Sequence, residues 1–381
     1  MNTKRTIGIT TFWDTPVNYG QVLQGFALIT KLKEWNFDPF IIRYTMTEES
    51  STESNSSKIY RFLSGRISFK RYIKRFYHKT ERDINRGFDD FKKKYMTYSE
   101  NQYPSLKSLI TNYPQADIYI TGSDQVWGEW GSENKKRIFL LDFLPDTIKR
   151  ISYAASFGRN SLNDSELKLF RNALSKFDAI SVREKSGIDI CNRLNIKKTT
   201  EWVADPTLLL NRDSWIKCLD LKYSPQKERT AFIYLMQNEY TTKLGHKIIK
   251  YLKKKGYIIR YVSSAYYIDP KSNYNPTIQE WLINILSSDI VITSSFHGTL
   301  FAANFNTPII SLCGREGVSG QNSRIYSLLE EVGLSDRIMD TFDKDKLNKL
   351  LSNKIDWSIA NKVFNKKRFS SELFLQNALK L

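Results

Sequence analysis

Short apolar runs rich in Ile, Val, Phe and Tyr alternate with polar or amphipathic segments of helix length along almost the whole chain, and this alternation leaves few folds open. Six runs fall in the first part, at 7–12, 40–44, 118–122, 151–156, 179–183 and 201–205, and four in the second, at 231–236, 258–263, 289–295 and 308–313. Runs of this length bounded by turn signals read as strands, and their near-continuous hydrophobicity implies burial on both faces. Strands of that kind alternating with helices make parallel sheets covered on both sides by helices. The polar, proline-containing connection Tyr223-Ser224-Pro225 splits them into two series. An α/β fold is therefore expected, with two doubly wound Rossmann-like domains facing a cleft: residues 1–222, residues 223–342, and a helical tail at 343–381 packing back across the junction.

At 381 residues, with 41% apolar and 13% aromatic content, the chain can bury two cores. No run of about 18 apolar residues occurs, so no membrane span is expected. No apolar leader precedes the first strand, so the expected location is cytoplasmic. Cys191, Cys218 and Cys313 lie far apart without CxxC or Cys/His spacing and read as reduced packing residues. The net charge of +18 is uneven, with thirteen Lys or Arg against four Asp or Glu between Lys58 and Lys94. This stretch follows a serine-rich loop and reads as a basic helical insertion at about 50–100, its cations interleaved with Phe and Tyr. Such a face can rest on anionic headgroups at the inner membrane face or hold a diphosphate-linked glycan lipid, or it can be a solvated insertion. No nucleic-acid-binding motif accompanies the charge, so no nucleic-acid partner is expected.

Ligands of parallel α/β sheets bind beyond the carboxyl ends of the strands, which directs attention to the residues there. After the first strand, Asn18, Gly20 and Gln21 open a helix whose start offers unpaired N–H groups, with glycine permitting close backbone approach. After 118–122 comes Asp124, able to cap a helix or accept a sugar hydroxyl. Arg183 ends its strand and can clamp a phosphate or carboxylate, or pair with Glu184 or Asp205. Asp205 precedes Pro206, which stops the sheet and turns the carboxylate toward the cleft. In SSFHGTLFAAN the strand is expected to end near Ser295, Gly298 to relieve the turn and the helix to open at Thr299, with His297 at its N-terminus and Ser294, Ser295 and Gly298 beside the ligand. A histidine there is suited to proton exchange near neutral pH, the alternative being a buried ring satisfied by a carbonyl. A glycine-rich loop with Arg315 and Arg324 follows and suggests a lid over an anionic donor. No metal-ligand cluster is visible, and neither a metal nor a cofactor is expected.

The segments NYGQVLQGFAL, ITGSDQVW, SYAASFG, ISVREKSG, VADPTLLL and ITSSFHGTLFAANFNTPII, in this order over roughly residues 5–335, resemble the polysaccharide pyruvyl transferase family. The resemblance implies a fold similar to two-domain GT-B glycosyltransferases, phosphoenolpyruvate as donor, a sugar or lipid-linked oligosaccharide of a bacterial surface glycan such as a capsule or exopolysaccharide as acceptor, and a cyclic pyruvate ketal as product. Many members carry Arg-Leu-His at the turn where this chain has Ser295-Phe296-His297. The histidine carries over and the arginine does not, so the cation for the donor falls to Arg183, Arg324 or Arg315. In this reading His297 is the acid–base group, and Asp124 or Asp205 orients or deprotonates an acceptor hydroxyl. A nucleotide-sugar glycosyltransferase and a non-catalytic glycan-binding protein are the alternatives of other classes.

Overall fold

The computed structural model describes residues 4–45, 85–129, 131–224, 227–236, 238–264, 269–314 and 322–380. Arg315 and residues 46–84, the greater part of the expected basic insertion, lie outside them.

The first half comprises β1 (Thr6–Thr10), α1 (Tyr19–Glu34), β2 (Asp38–Tyr44), α2 (Phe88–Tyr95), β3 (Tyr98–Tyr103), α3 (Leu106–Thr111), β4 (Ile118–Thr121), α4 (Glu133–Phe139), β5 (Lys149–Ser152), α5 (Asp164–Leu174), β6 (Ile180–Val182), α6 (Lys185–Arg193) and β7 (Thr200–Trp202). A 3₁₀ turn at Pro206–Leu209 and α7 (Arg212–Leu219) lead to the second half. There follow β8 (Thr230–Met236), α8 (Glu239–Lys254), β9 (Ile258–Ser264), α9 (Ile278–Ser287), β10 (Ile290–Thr293), α10 (Phe296–Asn304), β11 (Ile309–Leu312), α11 (Ser323–Glu331), β12 (Ile338–Met339), α12 (Lys344–Ser352) and α13 (Ser358–Lys380).

Every strand pairing is parallel. The first sheet runs β3-β2-β1-β4-β5, and single bridges from Ile151 to Ala179 and from Ala155 to Val182 join it to the β6-β7 pair. The second runs β12-β11-β10-β8-β9. Strand order therefore reverses between β1 and β4 and again between β8 and β10, and a crevice forms at such reversals. The inner strands explain themselves: IYIT of β4 and IVIT of β10 are buried at every position, as strands covered on both faces must be.

The two halves share one core. Tyr19, at the start of α1, stacks on Trp281 of α9 at 5.1 Å between ring centroids and 11° between planes, and its hydroxyl donates to the Pro276 carbonyl at 2.6 Å. Trp215 packs edge-on against Phe301 at 5.1 Å, and Phe26 lies beside Trp215. Each such aromatic pair contributes about 0.5–1.5 kcal/mol beyond the area it buries. α13 ties both halves: Ser371 accepts from the Ala204 amide at 2.8 Å, while Arg368 donates to the Leu208 carbonyl at 2.8 Å and to Asn304 Oδ1 at 3.2 Å.

Candidate functional site

The site is assembled at the carboxyl edge of the first sheet. Beyond β4 and β5 the chain continues in parallel bridges, Asp124 beside Ala155 and Ala155 beside Val182, so the residues after these strands come side by side. Asp124 (φ +74°) and Ala154 (φ +53°) take left-handed backbone there. Asp tolerates that region because its short side chain bonds locally, here accepting from the Gln125 amide at 2.8 Å. Asp124 thus caps no helix. Asp205 lies beyond the end of β7 and caps the 3₁₀ turn, its Oδ1 accepting from the Thr207 amide at 3.0 Å and hydroxyl at 2.8 Å.

Arg183 is the hub. Its Nη1 donates to Asp205 Oδ2 at 3.0 Å, Glu184 lies 3.5 Å from Nε, and Asp124 lies 3.8 Å from Nη2. Both carboxylates that the sequence offered as its partners are near it, and a third joins them. Burial disfavours the charged guanidinium, but the Glu184, Asp205 and Asp124 charges outweigh burial and raise its pKa. Among the described residues its Nε and Nη2 nevertheless make no hydrogen bond, and neither does Glu184 Oε2, all three being buried. Buried unpaired donors on a cation are costly unless a ligand completes them.

Arg324 arrives from the second half, on the first turn of α11. Ser323 is the first helical residue and Asn322 holds the cap position. Arg324 is half-buried, with a buried Nε that has no hydrogen-bond partner among the described residues. Burial and the repulsion of Arg183 lower its pKa. Both guanidinium groups lie over the ring of Phe296, at 5.2 Å for Arg183 and 5.6 Å for Arg324. An aromatic face attracts cations, so Phe296 holds together two groups that otherwise repel.

His297 is the second residue of α10, which opens at Phe296 and not at Thr299. The expected turn is shorter because Ser295 is the N-cap, its Oγ accepting from the Gly298 amide at 3.3 Å. Gly298 is already helical, and its missing side chain makes room for Thr293, whose Oγ1 would lie 2.6 Å from an added Cβ. Ser294 Oγ accepts from the Met236 amide at 2.9 Å, joining β10 to β8. Ser294, Ser295 and Gly298 are thus engaged in shaping the turn. The imidazole of His297 is buried, with Nε2 3.4 Å from Asp205 Oδ2, near enough for electrostatic attraction but without hydrogen-bond alignment. Burial pushes the Asp205 carboxyl up, yet the His297 and Arg183 charges and the Thr207 amide prevail and hold it well below the usual carboxylate range. The other side of the ring lies against Gly20 of α1, where a Cβ would fall 2.1 Å from Nδ1. The close approach expected at Gly20 is made by a side chain of the other half. Asn18 caps α1, accepting from the Gln21 amide at 3.3 Å.

A cavity of about 530 Å³ opens on this cluster, its wall including Arg183, Asp205, Phe296, Arg324, Trp202 and Lys367. His297 and Asp124 do not line it; Asp205 is the group that connects His297 to it. Trp202 carries the Lys367 ammonium 3.6 Å from its ring centroid, and Lys367 pairs with Glu331 at 2.6 Å. Sequence reasoning missed Glu184, Phe296, Trp202 and Lys367 as site residues. Glu184 was offered only as a partner of Arg183 and not as part of the site, whereas Lys367 is 184 positions away from Arg183 and only folding of α13 brings it in.

Two Rossmann-like halves with a cationic, carboxylate-lined site at their carboxyl edges define a GT-B-like protein. Solved structures agree on the fold: UDP-GlcNAc 2-epimerase from Neisseria meningitidis bound to UDP-GlcNAc superposes with a TM-score of 0.52 at 10% identity, covering 99% of this chain and 100% of that one. UDP-N-acetylglucosamine 2-epimerase from Rickettsia bellii gives 0.50 at 11% identity, over 99% and 96%. Comparison with curated protein sequences finds no match. The polysaccharide pyruvyl transferase family model matches residues 18–312, and the chain belongs to that family, a family of transferases acting in polysaccharide biosynthesis.

Proposed function

We propose that the protein transfers the pyruvyl group of phosphoenolpyruvate onto two hydroxyls of a sugar in a cytoplasmic precursor of a bacterial surface polysaccharide, forming a cyclic ketal. The observation that carries this reading is the pair of guanidinium groups, Arg183 and Arg324, with unfilled buried donors beside one cavity wall. Phosphoenolpyruvate carries a phosphate and a carboxylate, and charge-assisted bonds from two planar cations suit both.

In the reaction the enol double bond takes a proton at C3, and a sugar hydroxyl donates an electron pair to C2. The C2–O bond breaks with its electrons leaving on phosphate, and the second hydroxyl then closes the ring at C2. Two protons leave the hydroxyls, one being matched by the proton gained at C3 and the other by the proton taken up by phosphate. Arg183 and Arg324 stabilise the negative charge that grows on the leaving phosphate. Asp205, held ionised, is too weak a base to deprotonate an alcohol and serves to orient a hydroxyl by accepting its hydrogen bond. The proton exchange falls to His297 behind it, which does not line the cavity, so the proton passes between His297 and the hydroxyl in one concerted relay across the Asp205 carboxylate, without resting there. Asp124, 3.8 Å from Nη2 of Arg183 and outside the cavity lining, attracts the guanidinium electrostatically.

Calorimetric titration with phosphoenolpyruvate, UDP and GDP tests the reading, together with phosphate release in the presence of a panel of sugar acceptors. Phosphoenolpyruvate binding and acceptor-dependent phosphate release are expected. Tight UDP or GDP binding with no phosphoenolpyruvate signal would replace pyruvyl transfer by glycosyl transfer. Donor binding with no turnover on any acceptor would favour a glycan-binding role.

A further inference from the structure

Among the described residues, seven large hydrophobic side chains are strongly exposed, and three of them, Ile359 (58%), Phe369 (70%) and Leu373 (47%), lie on α13. Apolar residues scattered singly over a surface need no explanation, but these share a face with three exposed lysines, Lys362, Lys366 and Lys380. At about 100° per residue the six fall within an arc of roughly 80°, spread over roughly 32 Å of helix. Ala360, Phe364, Ser371, Phe374, Leu375 and Ala378 are buried on the opposite side, so the helix is fixed in rotation and the stripe is held outward. Glu372, the one carboxylate of the helix, is engaged by Lys31 at 3.2 Å and neutralises none of the stripe.

We infer that this face of α13 docks on an anionic lipid bilayer, with Phe369 and Leu373 entering the headgroup region and the lysines meeting lipid phosphates. A second copy of the chain fits less well, because a two-fold contact along the stripe would set lysines against lysines with no carboxylate between them. A polyanion such as nucleic acid would meet the lysines and leave Phe369 and Leu373 in water. A bilayer interface satisfies both kinds of residue at once. No helix of the described residues is long and apolar enough to cross a membrane, so the contact is peripheral. The docking does not depend on the pyruvyl-transfer reading, but its position bears on it: Phe364 and Lys367 of the same helix line the cavity, which sets the cavity about one helix diameter, ~10 Å, from the seated surface.

The test is co-sedimentation with phosphatidylcholine vesicles and with vesicles containing one quarter phosphatidylglycerol, in 0.1 M and 0.5 M salt, using the full chain. The wild-type protein should bind only the anionic vesicles and should lose most of that binding at the higher salt. Phe369→Ser with Leu373→Ser, and separately Lys362→Glu with Lys366→Glu, should each lower the partition coefficient about tenfold or more. Both pairs are exposed, so urea unfolding of the variants should match the wild type and exclude misfolding as the cause. Absence of wild-type binding, or binding that neither pair of substitutions weakens, overturns the proposal. So does a concentration-dependent dimer in sedimentation velocity that the serine pair abolishes, which would make the stripe a self-interface.

Discussion

Arg183 and Arg324 look alike in the cavity but should respond differently to the same substitution. Arg183→Met leaves Asp205, Glu184 and Asp124 buried around an apolar side chain, and removing one partner of a buried pair costs about 3–5 kcal/mol. The loss should lie near the lower figure, because His297 remains 3.4 Å from Asp205. Among the described residues Arg324 has no ion-pair partner, and the Arg183 charge opposes its own. Its removal forfeits chiefly the contact with Phe296, so Arg324→Met should shift stability by no more than about 1 kcal/mol in either direction. Its effect should appear in the ligand instead: one charge-assisted bond contributes about 1.5–3 kcal/mol, so the Kd for phosphoenolpyruvate should rise about ten- to a hundredfold. Arg324→Lys should restore only part of it, a point charge without the planar fork. Urea unfolding at pH 7 and calorimetric titration of the three proteins measure both quantities. Should Arg324→Met unfold as easily as Arg183→Met while binding phosphoenolpyruvate like the wild type, Arg324 is a structural cation and the two-arginine cradle is wrong.

His297→Ala should lower the turnover number about a hundredfold or more while leaving the donor Kd within a few-fold, and unchanged turnover would make the ring structural. Gly20→Ala places a methyl 2.1 Å from His297 Nδ1; steady-state kinetics should show a fall in kcat with donor affinity kept, and melting a loss of about 1–3 kcal/mol. Burial pushes the Glu166 carboxyl up, but bonds from Arg159 at 2.7 and 2.8 Å and from Lys136 overcome it and bring the pKa from 4.5 down to about 2. A folded-state value below the unfolded one stabilises the protein above pH 4.5, and that contribution, about 3 kcal/mol, disappears as pH falls from 4.5 to about 2. Glu166→Gln should therefore flatten the stability profile across this window, and an unchanged slope in acid-series unfolding would refute the assignment.

Apolar runs were the reliable part of the sequence. All ten expected strands are present, with ends displaced by no more than a few residues. The two that escaped notice have no run to see: β3 is YSENQY, an edge strand buried at only two of six positions, and β12 is the pair Ile338–Met339. The position rule also singled out Asp124, Arg183, Asp205 and His297, which the fold brings side by side because strand ends converge in parallel sheets whatever the side chains. What it could not supply were roles that depend on partners distant in the chain. Gly20 looked like an opening for a ligand, and its lack of a side chain accommodates an imidazole 277 residues later. Ser295 marked the loss of a cation, and the ring of its neighbour Phe296 gathers two.

The shared aromatic core has a bearing on timing. Tyr19 and Trp281 are fully enclosed, and swinging the halves apart far enough to bare both would expose on the order of 300–500 Å² of largely apolar surface. At roughly 25 cal/mol per Å² the excursion costs about 8–12 kcal/mol, which leaves fewer than about one molecule in 10⁵ open at any instant. Two-lobed enzymes commonly set their pace by such a swing, closing over substrate and reopening for product. At that cost, exchange through the cavity mouth past the side chains that line it, Trp202, Arg324 and Lys367 among them, is expected to need no separation of the halves.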